Sequence, residues 1–400
     1  MHFLGAAVSA LLAVRGVVAL SVANTAATNS AIADDTTAYT SSDGSVASST
    51  ASHSIKPKVV IISHFGLEAS VWYGIKDFNV LARNITVPGF SPRYPQAHCT
   101  RNGEICQVTT GEAEINAAST ISALALSPLF DLTTSYFLVA GIAGINPQQG
   151  STGSVGFARF AVQVAQQYEF DIRDLGDNFT TGFIPYGTQV PAPAQYPTNV
   201  YGTEVFEVNA SLQRRAIALA SKAKLSDDPA AAAYRQKYQF TAAKKAPSIL
   251  ACDVSTSDNY FHGKILGDAA ANFTTLMTDG KGVYCTSAQE DNATLGALLR
   301  AAKAKKVDFK RAIVMRTGAA FDRPPPGESA SQHLFYTDVD GFGPSVDNIY
   351  LAGIQVVGGI LRGWARTYKA GVQPTNYVGD IFGSLGGVPD FGPYPDFGEA

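Results

Sequence analysis

Ser135-Tyr136-Phe137-Leu138-Val139-Ala140-Gly141-Ile142-Ala143-Gly144-Ile145-Asn146-Pro147 is the stretch whose reading decides the fold. Tyr136 to Ala140 suit a strand buried on both faces and run straight into Gly141, Gly144 and Pro147. The sequence therefore predicts an inner strand ending in a loop whose backbone can approach a ligand closely. Open α/β proteins place their sites at such carboxyl ends. Gly144 and Asn146 are binding candidates on this ground, although an isolated glycine pair is better explained by a tight turn with no ligand; its neighbours decide.

Upstream, Lys58 to Ser63 is a β-branched run with the character of a first, central strand, and His64-Phe65-Gly66-Leu67-Glu68 reads as a strand-to-helix turn. Glu68 then stands at a helix start, where the dipole favours a carboxylate with or without chemistry. His64 is either a pocket residue or a packed core histidine. Val80 to Pro88 and the Cys99 to Cys106 segment look like strands, and Glu114 to Leu126 is a helix stopped by Pro128. Downstream, Gly153 to Phe170 is β-rich in part. Phe183 to Gly187, with Tyr186, and Pro191-Ala192-Pro193 form an irregular region suited to lie over a pocket.

Asn209 to Lys224 is an amphipathic helix, and Asp227 to Lys245 reads as a surface helix. Ser248 to Cys252 is a strand leading into the aromatic loop Ser257 to Gly263, which carries Tyr260 and Phe261. Val283 to Cys285 is a strand entering Gln289-Glu290-Asp291-Asn292-Ala293, with a helix from Ala293 to Lys303. Arg311 to Arg316 is a late strand ending at Thr317-Gly318, and Asn348 to Tyr368 is a long final helix. Strands alternating with helices predict a single α/β domain, 56–400, with a central mixed, mostly parallel sheet flanked by helices.

The 46% hydrophobic content supports a sizeable core, and 30 basic against 33 acidic residues, with no block of either sign, argue against a nucleic-acid partner. A small molecule is expected instead. The apolar run from Phe3 to Ala23 reads as a secretory signal, residues 1–23, and the Ser/Thr/Ala-rich stretch 24–55 as a disordered linker. No later segment supplies the ~18 apolar residues of a spanning helix. Sequons at Asn84, Asn178, Asn209, Asn272 and Asn292 fit a secreted chain. Cys99, Cys106, Cys252 and Cys285 have no metal-site spacing, and no metal or cofactor is expected. Proximity in sequence favours the pairs Cys99–Cys106 and Cys252–Cys285 among three possible pairings.

Ile61-Ile62-Ser63-x-Phe65-Gly66-Leu67-Glu68, Val108-Thr109-Thr110-Gly111, Ala140 to Pro147, Gln289 to Thr294 and Arg316-Thr317 form an ordered set. In that order they resemble the fungal purine nucleoside permease family, itself similar to the nucleoside phosphorylase and nucleosidase superfamily, over Lys56 to about Pro374. The resemblance implies a nucleoside phosphorylase-like fold, a glycine-rich base site, and a ribose-binding segment at Glu290, Asp291 and Asn292, with Asn292 nearest the superfamily's carboxylate. It also implies an aromatic partner, Tyr260 or Phe261, and Arg316 in the binding set.

Cleavage of an N-glycosidic bond needs an acid for the departing purine and a positioned nucleophile. The resemblance puts the acid at Ala320, so that Asp322, two residues on, is the nearest replacement. It puts Glu68 where hydrolytic members orient water, and the arginines that hold phosphate in the phosphorylases are missing. These features imply a nucleoside hydrolase. A non-catalytic nucleoside-binding protein that supports transport, and a phosphorylase, are the alternatives, and an oligomer is an expectation of the resemblance alone.

Overall fold

Residues 54–76 and 78–392 are described by this computed structural model. The signal and all but the end of the linker lie outside them. At that end Ile55 is buried and pairs with Phe130, so the ordered chain includes a residue that composition assigned to the linker.

In chain order the elements are β1 (Val59–Ser63), α1 (Gly66–Ser70), β2 (Arg83–Thr86), β3 (Gln96–Cys99), β4 (Ile105–Thr109), α2 (Glu114–Leu126) and β5 (Tyr136–Ile145). Next come β6 (Val155–Ala158), β7 (Phe160–Gln163), β8 (Gln167–Glu169), β9 (Phe183–Pro185), β10 (Val205–Glu207), α3 (Ala210–Ala220), α4 (Pro229–Arg235) and α5 (Thr241–Lys244). The chain continues through β11 (Ile249–Ala251), β12 (Asp253–Thr256), α6 (Lys264–Met277), β13 (Tyr284–Ala288) and α7 (Asp291–Lys303). It closes with β14 (Ala312–Phe321), α8 (Ala330–Tyr336), α9 (Phe342–Arg362) and β15 (Gly379–Asp380).

Among the described residues, thirteen strands form one mixed sheet in the order β15-β10-β7-β12-β13-β5-β1-β4-β3-β2, with β14 beside β5 and β6, and β11 beside β6. β4, β1, β5 and β14 are parallel, while β13 meets β5 antiparallel. Both faces are covered, which is why the inner strands read as continuous apolar runs. Val60, Ile62, Phe137 and Val139 pack on α2 and α7 through Ile121, Leu124, Leu295 and Leu298. Val59, Ile61, Leu138 and Met315 face α3 and α9 through Leu212, Ala216, Val356 and Ile360. Each such side chain contributes about 1.5–3 kcal/mol by leaving water.

Several boundaries differ from the sequence reading. β5 does not end at Gly141: it runs on to Ile145, because β14 pairs with it from Phe137 to Ile145. β14 likewise continues past Thr317-Gly318 to Phe321. The predicted helix over 227–245 is two short ones, because Tyr238 turns into the core and donates its hydroxyl to the Arg323 carbonyl at 2.7 Å. α7 starts two residues early, at Asp291. Both disulfides, Cys99–Cys106 and Cys252–Cys285, are formed.

Candidate functional site

β5 changes partners midway along one edge. Val139 is its last residue paired with β1, and Gly144 its first paired with β13. Between them the edge is open, and the chain leaving β1 fills the gap with His64 and Glu68. The Ile142 N–H, which has no strand on that side, donates to Glu68 Oε1 at 2.7 Å, and the His64 N–H donates to Glu68 Oε2 at 2.6 Å. A sheet that parts in this way leaves a crevice at strand ends, the usual ligand position in α/β proteins. Here it is an open-mouthed cleft of about 770 Å³, counted out to solvent.

One end of the cleft is charged. Arg316 on β14 stands beside Gly141 in register and is buried. Its Nε donates to Asp291 Oδ2 at 3.1 Å, its Nη2 to Glu290 Oε2 at 2.8 Å, and its Nη1 to the Ile142 carbonyl at 3.1 Å. Gly141 makes this packing possible: a Cβ there would lie 2.6 Å from Arg316 Nη1, 2.7 Å from Glu68 Oε1 and 2.9 Å from His64 Cδ2. Glu290 is further fixed by the Ala113 N–H at 3.2 Å. To aim that N–H, Ala113 adopts φ 75 and ψ 164, a region that is normally glycine's.

Burial, the largest influence, pushes the Glu68 carboxyl up to about 8, against the pull of Arg316 and its two backbone donors. Burial also pushes the His64 ring down to about 3, Glu290 opposing and Arg316 assisting, so the imidazole is neutral at physiological pH. Burial works against the Glu290 carboxylate too, but Arg316, with the Ala113 N–H, outweighs it and holds the group below its usual range. The Thr110 hydroxyl donates to the Gly111 carbonyl at 2.7 Å, so His64 Nδ1–H donates to Thr110 Oγ1 at 3.0 Å. His64 Nε2 is then a buried acceptor with no partner.

The other end, near Gly144, carries no charge. A Cβ on Gly144 would meet Ser287 Oγ at 2.3 Å and the Ala320 carbonyl at 3.9 Å. Ser257, Asn259, Phe261 and Gln289 complete the wall, and Tyr260, 68% exposed, stands at the mouth.

Of the residues singled out in the sequence, the cleft brings together His64, Glu68, Gly144, Tyr260, Phe261, Glu290 and Arg316, with Asp291 directly behind Arg316. Four others are elsewhere. Asp322, expected as the acid, accepts the Tyr284 hydroxyl at 2.8 Å and is gripped by Arg323 at 2.8 and 3.0 Å, because β14 persists through Phe321 and turns the next side chain away. Asn292, expected against ribose, lies two residues past Glu290 and outside the cleft lining. Its Oδ1 accepts from Thr256 at 2.6 Å and its Nδ2 donates to the Thr203 carbonyl at 2.7 Å.

Asn146 is spent on the Gln148 N–H and the Tyr284 carbonyl. Tyr186 belongs to a separate aromatic group with Tyr168 and Tyr201, their ring centroids 5.0 and 5.2 Å away. Phe65, Glu112, Ser287 and Gln289 line the cleft without having been singled out as site residues. Phe65 and Gln289 belong to the motifs at 61–68 and 289–294, while Ser287 carries no signal of its own.

A family model described as purine nucleoside permease matches residues 56–373. A purine nucleoside permease of Candida albicans is 50% identical over 343 residues, 84% of this chain and 83% of that protein. A probable purine nucleoside permease of Schizosaccharomyces pombe is 42% identical over 316 residues, 78% and 90% of the two chains. Among solved structures, the 5'-methylthioadenosine/S-adenosylhomocysteine nucleosidase of Neisseria meningitidis is similar at 12% identity and TM-score 0.41, covering 77% of this chain and 99% of its own. Futalosine hydrolase of Helicobacter pylori is similar at 14% identity and TM-score 0.43, covering 76% and 97%. Likenesses this distant transfer no residue's role. The chain belongs to the purine nucleoside permease family.

Proposed function

We propose that this member of the purine nucleoside permease family binds a purine nucleoside in the cleft where β5 exchanges β1 for β13, and cleaves its N-glycosidic bond with water. Glu68 carries the reading. A carboxyl fully removed from water is costly to keep, and this one is tuned to about 8, close to the pH at which a general base works best.

The remaining groups fit the same step. His64 Nε2, a buried acceptor without a partner, and Glu290 accept sugar hydroxyls, fixing the ribose over Gly141. Glu68 orients the water and takes its proton as the oxygen bonds to C1′ and the C1′–N bond breaks. The bond's electron pair leaves with the base, which collects a proton from solvent. Phosphate is a poor substitute for water: Arg316 is the one cation among the described lining residues, and its charge is already met by Glu290 and Asp291. Two disulfides support an oxidising, extracellular setting for the reaction.

A second reading, binding without cleavage in support of transport, rests on Asp322. The acid that would help the purine depart is locked to Arg323 and Tyr284. The names of the relatives favour transport as well, and no described helix is long and apolar enough to cross a membrane. The discriminating experiment incubates the purified chain with inosine, guanosine and adenosine, with and without phosphate. Free base without phosphate, lost in Glu68→Gln, is the expected result. Tight binding with no base released in either buffer rejects the hydrolase and supports the second reading.

A further inference from the structure

The electrical balance of the cleft is one-sided. Glu112 and Glu290 line it, with Asp291 directly behind, against Arg316 alone, while Glu68, raised to about 8, keeps its proton near neutral pH. More negative charge stands just behind: the Glu114 N–H donates to Asp258 at 2.9 Å, and the Gln289 side chain donates to the Asp258 carbonyl at 3.0 Å. Burial pushes the Glu114 carboxyl up to about 7, with the charges of Asp258 and Glu290 adding to the effect. Low-dielectric walls carrying one sign of charge concentrate the opposite sign in the space between them. The ring of Tyr260 at the mouth and that of Phe261 beside it offer π faces, which also attract cations.

The end around Gly144, Ser287 and Ala320 has the opposite peculiarity: among the described residues it holds no acid. A neutral purine leaves with the electron pair of the broken bond and needs a proton. A base whose ring carries a fixed positive charge needs none, because the same electron pair discharges it.

From these two features we infer that the preferred substrates are nucleosides whose base is already cationic, such as N7-alkylated purine ribosides or pyridinium ribosides, drawn in by Glu112 and its acidic neighbours and released without a general acid. The inference rests on the hydrolytic reading above and narrows its substrate class. In the step, water bonds to C1′, the C1′–N bond breaks, its electron pair neutralises the ring, and the proton lost by water passes to Glu68 and then to solvent. One proton therefore appears in the medium for each base released. A neutral nucleoside releases none, since its base takes up the proton that water gives.

The test compares 7-methylguanosine and nicotinamide riboside with guanosine and inosine. The full chain is used in phosphate-free, weakly buffered solution, with free base and protons recorded together and spontaneous hydrolysis subtracted. A general acid is worth ~100-fold or more, so kcat/KM for 7-methylguanosine should exceed that for guanosine by at least ~100-fold, and nicotinamide riboside, whose ring has no acidic N–H to lose, should release one proton per base. Glu112→Gln should reduce that ratio several-fold, chiefly through KM for the cationic substrate. Guanosine cleaved as efficiently as 7-methylguanosine overturns the inference while leaving the hydrolase intact. Release of base from none of the four overturns both.

Discussion

Replacing Gly141 by alanine strikes the point where the strand passes under the charged groups. The new methyl would sit 2.6 Å from Arg316 Nη1, 2.7 Å from Glu68 Oε1 and 2.9 Å from His64 Cδ2. None of these atoms is free to move: Arg316 is held by Asp291, Glu290 and the Ile142 carbonyl, and Glu68 by two backbone N–H groups. Overpacking of this kind costs about 1–3 kcal/mol, and loss of one charge-assisted hydrogen bond adds about 1.5–3 kcal/mol, so Gly141→Ala should destabilise by about 2.5–6 kcal/mol. Against a typical total of about 5–15 kcal/mol, that is a large fraction.

Gly144→Ala is the control three residues along the same strand. Its methyl meets one hydroxyl, Ser287 Oγ, at 2.3 Å, and the next Ser287 atom is at 3.7 Å, an ordinary contact. The cost should be about 1–3 kcal/mol and should largely vanish in a Ser287→Ala background. Guanidinium denaturation followed by the fluorescence of buried Trp72 reads both effects. A Gly141→Ala chain within 0.5 kcal/mol of the parent, or a Gly144→Ala cost that Ser287→Ala leaves unchanged, refutes the packing argument.

Three further outcomes follow from the same geometry. Glu68 ionises at 4.5 in an ordinary setting and at about 8 in the fold. Its contribution to stability is therefore full below pH 4.5 and lost as the pH rises to about 8. The parent should weaken relative to Glu68→Gln across that window while its kcat/KM rises, and a flat profile for both contradicts the assignment. His64, held down to about 3, acts oppositely: its contribution is full above 6.5 and lost as the pH falls toward 3.

Asp322→Asn should cost about 3 kcal/mol, the low end for a buried pair because Arg323 keeps Asp268, yet leave nucleoside affinity of the folded fraction within about twofold. A loss of affinity beyond tenfold at full folding would place Asp322 in the site after all. Ala113→Gly removes backbone strain of about 1–3 kcal/mol and adds about 0.5–1 kcal/mol of chain entropy, so it should be neutral to stabilising, read as the denaturation midpoint; a loss above 1 kcal/mol contradicts it.

Much of the fold was legible because the inner strands are buried on both faces. Val59 to Ser63 and Tyr136 to Ala140 have little freedom to be anything else, and Ser127 before Pro128 leaves α2 no way to continue. What misled was glycine. Gly141 and Gly144 suggest a loop by composition, yet both lie in a strand, where the missing Cβ admits Arg316 and Glu68 at one position and Ser287 at the other. The same extension of β14 decides Asp322: one residue beyond the strand's end it faces Arg323 and Tyr284, which no local pattern announces. At the start of α7, Glu290 faces the cleft and Asn292 faces β12 and the Thr203 carbonyl. That choice depends on where the helix begins, and it begins at Asp291, two residues before the start its composition predicts. Ser287 was invisible because its place follows from strand pairing with Gly144 across the chain.

The most direct measurement is a crystal structure of the chain with a purine nucleoside, or with a non-cleavable analogue. The account predicts the sugar hydroxyls on Glu290 and His64 Nε2, C1′ within reach of a water held by Glu68, and the base over Gly144 beside Ser287 and Phe261. A nucleoside bound elsewhere, such as in the groove between Lys305 and Tyr377, with the β5 cleft left to solvent, would contradict it.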